Sequence, residues 1–158
     1  MMKTNLYVAY GSNMNLSQME YRCPKSTPIG RAYLHGYKLV FNYHADVIPT
    51  GNPDDVVPVV LWDIEPSEWR TLDMYEGYPR YYIRETVTVK TEDGDEVEAI
   101  VYVMAKDRKG RYSPSADYFY GIVEGCKDFG IPTDHLRDAL KESVNDPTEY
   151  NQYNPCTA

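Results

Sequence analysis

Residues 82–90 and 97–104 both alternate as β-strands, and between them stands Glu92-Asp93-Gly94-Asp95. An Asp-Gly pair between two such runs is a strong hairpin signal, because both residues tolerate the positive φ that tight turns require. This hairpin constrains the fold of the 158-residue chain more than any other feature. It commits the middle of the chain to antiparallel sheet.

Other strands follow from the same reasoning. Residues 5–9 form a short apolar run that opens on a Gly-Ser-Asn loop. Residues 37–43 and 56–64 are rich in β-branched and aromatic side chains. Pro58 lies inside the second run, and a residue without an N–H implies an edge or a strand start there. Residues 45–55, with Pro49, Gly51-Asn52-Pro53 and paired aspartates, read as a loop. Asn15 is a good N-cap for a short helix bearing Leu16, Met19 and Glu20, which stops before Pro24. Glu65-Pro66-Ser67-Glu68 opens a second helix, with Trp69, Leu72, Met74 and Tyr75 on its apolar side. It runs out at Gly77-Tyr78-Pro79, which puts Glu76 near its C-terminus. Ser115 can cap a third helix, in which Tyr118, Ile122, Gly125, Cys126 and Phe129 share one face. Residues 133–144 form a last helix on Leu136, Leu140 and Val144.

These elements predict an α+β fold: about five or six mostly antiparallel strands, curled into a small β-barrel and flanked by helices. Residues 1–146 are expected to form a single domain. The polar tail 147–158 is expected to be an arm or disordered.

Composition narrows the function. With 24 acidic and 16 basic residues the formal charge is −8, which argues against nucleic acid as a partner. No apolar run approaches the ~20 residues of a membrane span, and residues 1–10 lack the form of a signal peptide. Cys23, Cys126 and Cys156 are odd in number and unpatterned, so neither a disulfide framework nor a zinc site is expected. Reduced thiols in a cytoplasmic protein, with no metal and no cofactor, are the reading. Oligomeric state is not legible. The 16 tyrosines against 3 phenylalanines call for hydroxyl partners, as tyrosines lining a wet pocket would have.

Two segments carry chemistry. Tyr10-Gly11-Ser12-Asn13 is a small-residue loop whose backbone N–H groups can grip a carboxylate or a polarised carbonyl. Asp73-Met74-Tyr75-Glu76-Gly77-Tyr78-Pro79 sets one carboxylate among aromatic residues. Apolar company disfavours the ionised form, so the Glu76 pKa should rise toward neutrality, where it can shuttle protons.

Tyr-Gly-Ser-Asn after a first strand, Glu-Gly-Tyr-Pro in mid-chain, Pro114-Ser115-Ala116-Asp117-Tyr118 and Gly125-Cys126-Lys127-Asp128-Phe129-Gly130-Ile131-Pro132 occur in that order. Together they resemble the γ-glutamylcyclotransferase (AIG2-like) family, over roughly residues 5–132. Residues 30–41 also resemble that family's second strand. The resemblance implies a barrel flanked by helices, with its cavity at one mouth. It implies Glu76 as the general acid and base, acting on a small-molecule γ-glutamyl substrate to release 5-oxoproline. It assigns the substrate's γ-glutamyl group to the segment from Tyr7 through Tyr10, Gly11, Ser12 and Asn13, and a substrate contact to Tyr118. Tyr82 could line the same pocket. Val59 stands where better-known animal members carry Gly, which would narrow or redirect that pocket.

Other readings are weaker. Ser12 lacks a Gly-x-Ser-x-Gly frame for a nucleophile. Nothing local brings Cys23 to His35 or His44. Asp46, Asp54 and Asp55 have no cation-cage spacing and are expected to be solvated. The alternatives to γ-glutamyl amino acid turnover are a γ-glutamylamine or other γ-glutamyl-tagged metabolite, and a non-catalytic binding module.

Overall fold

The computed structural model describes residues 4–107 and 110–145. The tail expected over 147–158, Cys156 and the domain boundary at 146 lie outside the described residues. The order of elements is β1 (Leu6–Ala9), α1 (Leu16–Arg22), β2 (Thr27–His35), β3 (Tyr37–Asn42), β4 (His44–Pro49), β5 (Val56–Asp63), α2 (Trp69–Glu76), β6 (Tyr82–Thr91), β7 (Glu96–Met104), α3 (Ala116–Asp128) and α4 (Asp134–Glu142). Single 3-10 turns stand at Ser12–Met14 and Pro66–Glu68.

Five strands close a barrel in the order β1-β5-β2-β6-β7. Its ladders are antiparallel except β1–β7, a short parallel pairing of Tyr7 with Ile100 and Val8 with Val101 that shuts the ring. Closure removes the unpaired edges of an open sheet. Tyr7, Val8, Ala9 and Tyr10 are all fully buried, so β1 is covered on both faces and reads as a continuous apolar run. The β6–β7 hairpin forms as expected, with Lys90 opposite Glu96 and Gly94 at φ 86° in the turn. Pro58 pairs with Tyr33 of β2, whereas β1 reaches β5 only from Val60 to Asp63. The proline thus sits where β5 runs past β1, at a local edge that tolerates the missing N–H.

Two expectations are corrected. Residues 44–49 are a strand, not part of a loop: β3 and β4 form a separate two-stranded sheet, with Asn42 opposite His44. The reversal falls on Tyr43 at φ 64°, a conformation that disfavours most side chains. Tyr112 holds it there, accepting the Tyr43 N–H at 2.9 Å and stacking on its ring at 5.1 Å. No local turn residue announces this, so the strand was hidden. Residues 30–41, which resemble one strand, are two. Gly36 at φ 82° ends β2 before β3 begins.

The helices end where local chemistry says they should. Asn15 Oδ1 accepts from the Gln18 amide at 3.1 Å, and Ser115 Oγ accepts from the Tyr118 amide at 3.2 Å. Gly77, left-handed at φ 64°, closes α2, and the Tyr78 amide reaches back to the Asp73 carbonyl. Among the described residues no helix is long and apolar enough to cross a membrane.

Candidate active site

Glu76 is the last residue of α2 and is fully buried. The left-handed stop at Gly77 fixes where the helix ends and therefore where this carboxylate points. Burial pushes its pKa well above the usual carboxylate range; the Asp73 charge adds to the rise and the Arg22 guanidinium opposes it. A glutamate with a raised pKa can both take and return a proton near neutrality.

The charge of Glu76 acts on two phenols from the first strand and the residue after it. Tyr7 and Tyr10 are fully buried on β1 and just beyond it. The Tyr7 oxygen accepts from Asn13 Nδ2 at 3.0 Å, and the Tyr10 hydroxyl donates to the Tyr102 carbonyl at 2.6 Å. Burial raises both phenol pKa values, and the charge of Glu76 raises both further. Tyr82, Asp46 and Tyr118 also act on the Tyr10 phenol. Groups from β6, β4, α2 and α3 therefore converge on Tyr10, although they lie far apart in the chain.

Tyr118 and Tyr82 clamp one residue between them. The Ala45 amide donates to the Tyr118 oxygen at 3.0 Å, and the Tyr82 hydroxyl donates to the Ala45 carbonyl at 2.6 Å. Tyr118, expected to contact substrate, and Tyr82, which could line the same pocket, are here seen fastening the β3–β4 sheet through Ala45. Gly11, Ser12 and Asn13 are buried in the turn after β1. That turn uses the amides of Met14 and Asn15, which donate to Gly11 and Ser12 carbonyls at 3.1 Å. The amides of residues 11–13 precede them.

Sequence reasoning missed four partners and misplaced a fifth. Asp46 is not solvated: it is 9% exposed on β4 and accepts from the Met104 amide at 3.0 Å. Burial raises its pKa to about 6, against the pull of Arg111. Asp54 is exposed, as expected. Asp73 accepts from the Tyr102 hydroxyl at 2.5 Å and from Arg84 Nε and Nη2 at 2.9 and 2.7 Å. The Arg84 guanidinium lies 5.1 Å from the Trp69 and Tyr78 rings. Arg22 is buried and donates from Nη1 to Asn13 Oδ1 at 2.7 Å. The spacing of Asp73 and Glu76, three apart on one helix, was the available signal for Asp73. Cys23 is buried, and its thiol is pushed up to about 12, so it is no thiolate near neutral pH. His44 lies edge-on against Tyr118 and His35 Nδ1 against the Pro53 carbonyl. Among the described residues no group of three or more His, Cys, Asp or Glu is placed to hold a metal ion.

A sequence model of the family described as gamma-glutamyl cyclotransferase, AIG2-like, matches residues 7–120, a span that runs from Tyr7 past Glu76 to Tyr118. The chain belongs to that family. It is 29% identical over 152 residues to gamma-glutamylcyclotransferase of Bos taurus, covering 89% of this chain and 80% of the relative. It is 29% identical over 154 residues to gamma-glutamylcyclotransferase of Homo sapiens, covering 90% and 81%. Among solved structures it is similar to a gamma-glutamyl cyclotransferase with a TM-score of 0.74 at 27% identity, over 94% of this chain and 93% of the other. The family's barrel is the barrel described above.

Proposed function

We propose that the protein is a γ-glutamyl cyclotransferase that acts without metal or cofactor. The observation that carries this is the burial of Glu76 beside Tyr7 and Tyr10, with its pKa raised. In the reaction the substrate's α-amine attacks its own γ-amide carbonyl carbon. The new C–N bond closes 5-oxoproline, and the bond to the leaving nitrogen breaks. Glu76 takes one proton from the α-ammonium and returns it to the departing nitrogen; the attacking nitrogen sheds its second proton as the lactam forms, and the released amine takes one up in water, so charge balances. The step is an intramolecular acyl transfer that eliminates an amine, and it needs no nucleophilic side chain. Backbone N–H groups of Gly11, Ser12 and Asn13 hold the substrate's anionic end. The tyrosine-lined site favours the bent conformer in which amine and carbonyl meet. In this reading Tyr118 and Tyr82 bound that space; Val59 is fully buried on β5, opposite Ala32.

A γ-glutamylamine is the second reading, and Asp46 favours it. With a pKa of about 6 this buried side chain is ionised at neutral pH. A second negative charge acting on Tyr10 disfavours a leaving group that bears its own carboxylate. Residues 1–146 act as one catalytic domain with 147–158 appended. We place the protein in the cytoplasm, where Cys23 and Cys126, both buried and free, stay reduced.

The test is a panel of γ-glutamyl amino acids and γ-glutamylamines, scored for 5-oxoproline by mass spectrometry. Release from at least one compound is expected, slowed about 10²- to 10⁴-fold by Glu76→Gln. Tight binding of a panel member with no product would make the protein a binding module instead.

A further inference from the structure

Arg22 ends α1 and is only 9% exposed. A guanidinium in that position must be paired and hydrogen-bonded, since burying a bare charge is strongly unfavourable. Two of its contacts link separate parts of the fold. Nη1 donates to Asn13 Oδ1 at 2.7 Å, and the guanidinium carbon lies 4.3 Å over the ring of Tyr75, the residue before Glu76. One side chain thus spans the turn after β1 and the end of α2.

The consequence lies in hydrogen-bond polarity. A guanidinium has donors and no acceptor, so Asn13 must turn its oxygen toward Arg22. Its amide nitrogen is then left to donate, and it meets the Tyr7 oxygen at 3.0 Å. Tyr7 must accept on that side, so its own O–H proton points elsewhere. Were Asn13 free to flip, it could accept from Tyr7 and consume that proton.

We propose that Arg22 is a positioning residue for the reaction: it fixes the polarity of the Asn13–Tyr7 pair, so that the Tyr7 hydroxyl donates into the site, and it steadies the end of α2 that carries Glu76. This rests on the cyclotransferase reading. The charge of Arg22 has a second effect, because it acts on both Glu76 and Tyr7 and favours the ionised form of each. Other groups coupled electrostatically to Glu76 include Asp73 on its own helix, Tyr7 on β1 and Tyr10 just beyond that strand. Asp73 is itself engaged by Arg84 of β6 and Tyr102 of β7. At Glu76 the charge of Arg22 opposes that of Asp73.

Two measurements separate this role from simple packing. The first is the titration of Glu76, followed by NMR in protein carrying 13C-labelled glutamate, for the native chain and Arg22→Gln. The midpoint is expected to rise by about one pH unit in the variant. An unmoved midpoint overturns the charge coupling, and no turnover is needed to read it. The second is a double-mutant cycle in kcat between Arg22→Gln and Asn13→Ala. If Arg22 acts through Asn13, the pair together should lose little more than the larger single change; fully additive losses overturn the proposal. Should Arg22→Gln fail to fold, Arg22→Lys carries the test. An ammonium keeps the charge but lacks the planar fork, so the Glu76 midpoint should hold while kcat falls about ten-fold. A native kcat in that variant overturns the positioning role. Absence of 5-oxoproline from the native chain across the whole panel sinks the cyclotransferase reading, whereas the Glu76 titration still decides the coupling.

Discussion

The Tyr102 hydroxyl donates to Asp73 Oδ1 at 2.5 Å, fastening the barrel strand β7 to the helix that ends in Glu76. Arg84 grips the same carboxylate with two donors. Asp73 is thereby held three residues from Glu76, and its negative charge contributes to raising the Glu76 pKa. Asp73→Asn keeps an acceptor for Tyr102 and removes the charge. The acid limb of kcat/KM should move to lower pH by a fraction of a unit, since solvent and Arg84 already screen this carboxylate. A pH–rate profile on one γ-glutamyl substrate checks it.

Glu76→Gln removes the proton acceptor while preserving shape. Turnover should fall by about 10²- to 10⁴-fold with substrate affinity nearly unchanged. Stability should not suffer, because an amide is cheaper to bury than a carboxylate. Thermal melts at pH 8, where more of the native carboxylate is ionised, should show the variant at least as stable as the parent. Activity within a few-fold of native would exclude Glu76 as the base.

Asp46 carries a pH-dependent liability. Its folded pKa, about 6, lies above the ordinary 3.8, so the unfolded chain releases this proton first as pH rises. Its contribution is therefore unfavourable to folding above that window: stability declines between pH 4 and 6 and stays reduced at neutrality, by at most about 3 kcal/mol from this residue. Asp46→Asn retains an oxygen for the Met104 amide and should flatten the decline. Urea melts at pH 4 and 7 on both proteins read the difference directly.

Gly125 marks where α3 touches the turn after β1. A Cβ there would fall 2.8 Å from the Asn15 nitrogen and the Met14 Cβ, and 2.9 Å from the Met14 carbonyl carbon. Gly125→Ala should therefore lose about 1–3 kcal/mol and raise KM, since the shifted turn contains residues 11–13. Gly121, one helical turn earlier, has nothing within 4 Å of its Cβ position. Gly121→Ala should gain up to about 1 kcal/mol with unchanged KM. Equal behaviour of the two variants would show that helix propensity, not the close approach, governs this face.

What the amino-acid order alone determined is local. The Asp-Gly hairpin, the caps at Asn15 and Ser115 and the glycine stop behind Glu76 depend on residues within a few positions of one another, and each formed as read. The two segments proposed to carry chemistry can likewise be picked out locally, because a small-residue turn and a carboxylate among aromatics are recognisable from composition and spacing. Tertiary structure decided the rest. Tyr43 turns the chain with help from distant Tyr112, which stacks on its ring and accepts its N–H, so β4 has no local signal and Asp46 looked like a loop residue. Whether Arg22 is a surface cation or the buried partner of Asn13 depends on how α1 lies against the turn after β1 and on Tyr75 of α2 covering its guanidinium. Tyr102 meets Asp73 across 29 positions, and Tyr118 meets Ala45 across 73. Propensity and periodicity act along a few residues of backbone, whereas burial and charge pairing exist only once the barrel has closed. The segments proposed to carry the chemistry are local, but the burial and the Arg22 charge that act on Glu76, beside its helical neighbour Asp73, come only with the tertiary fold.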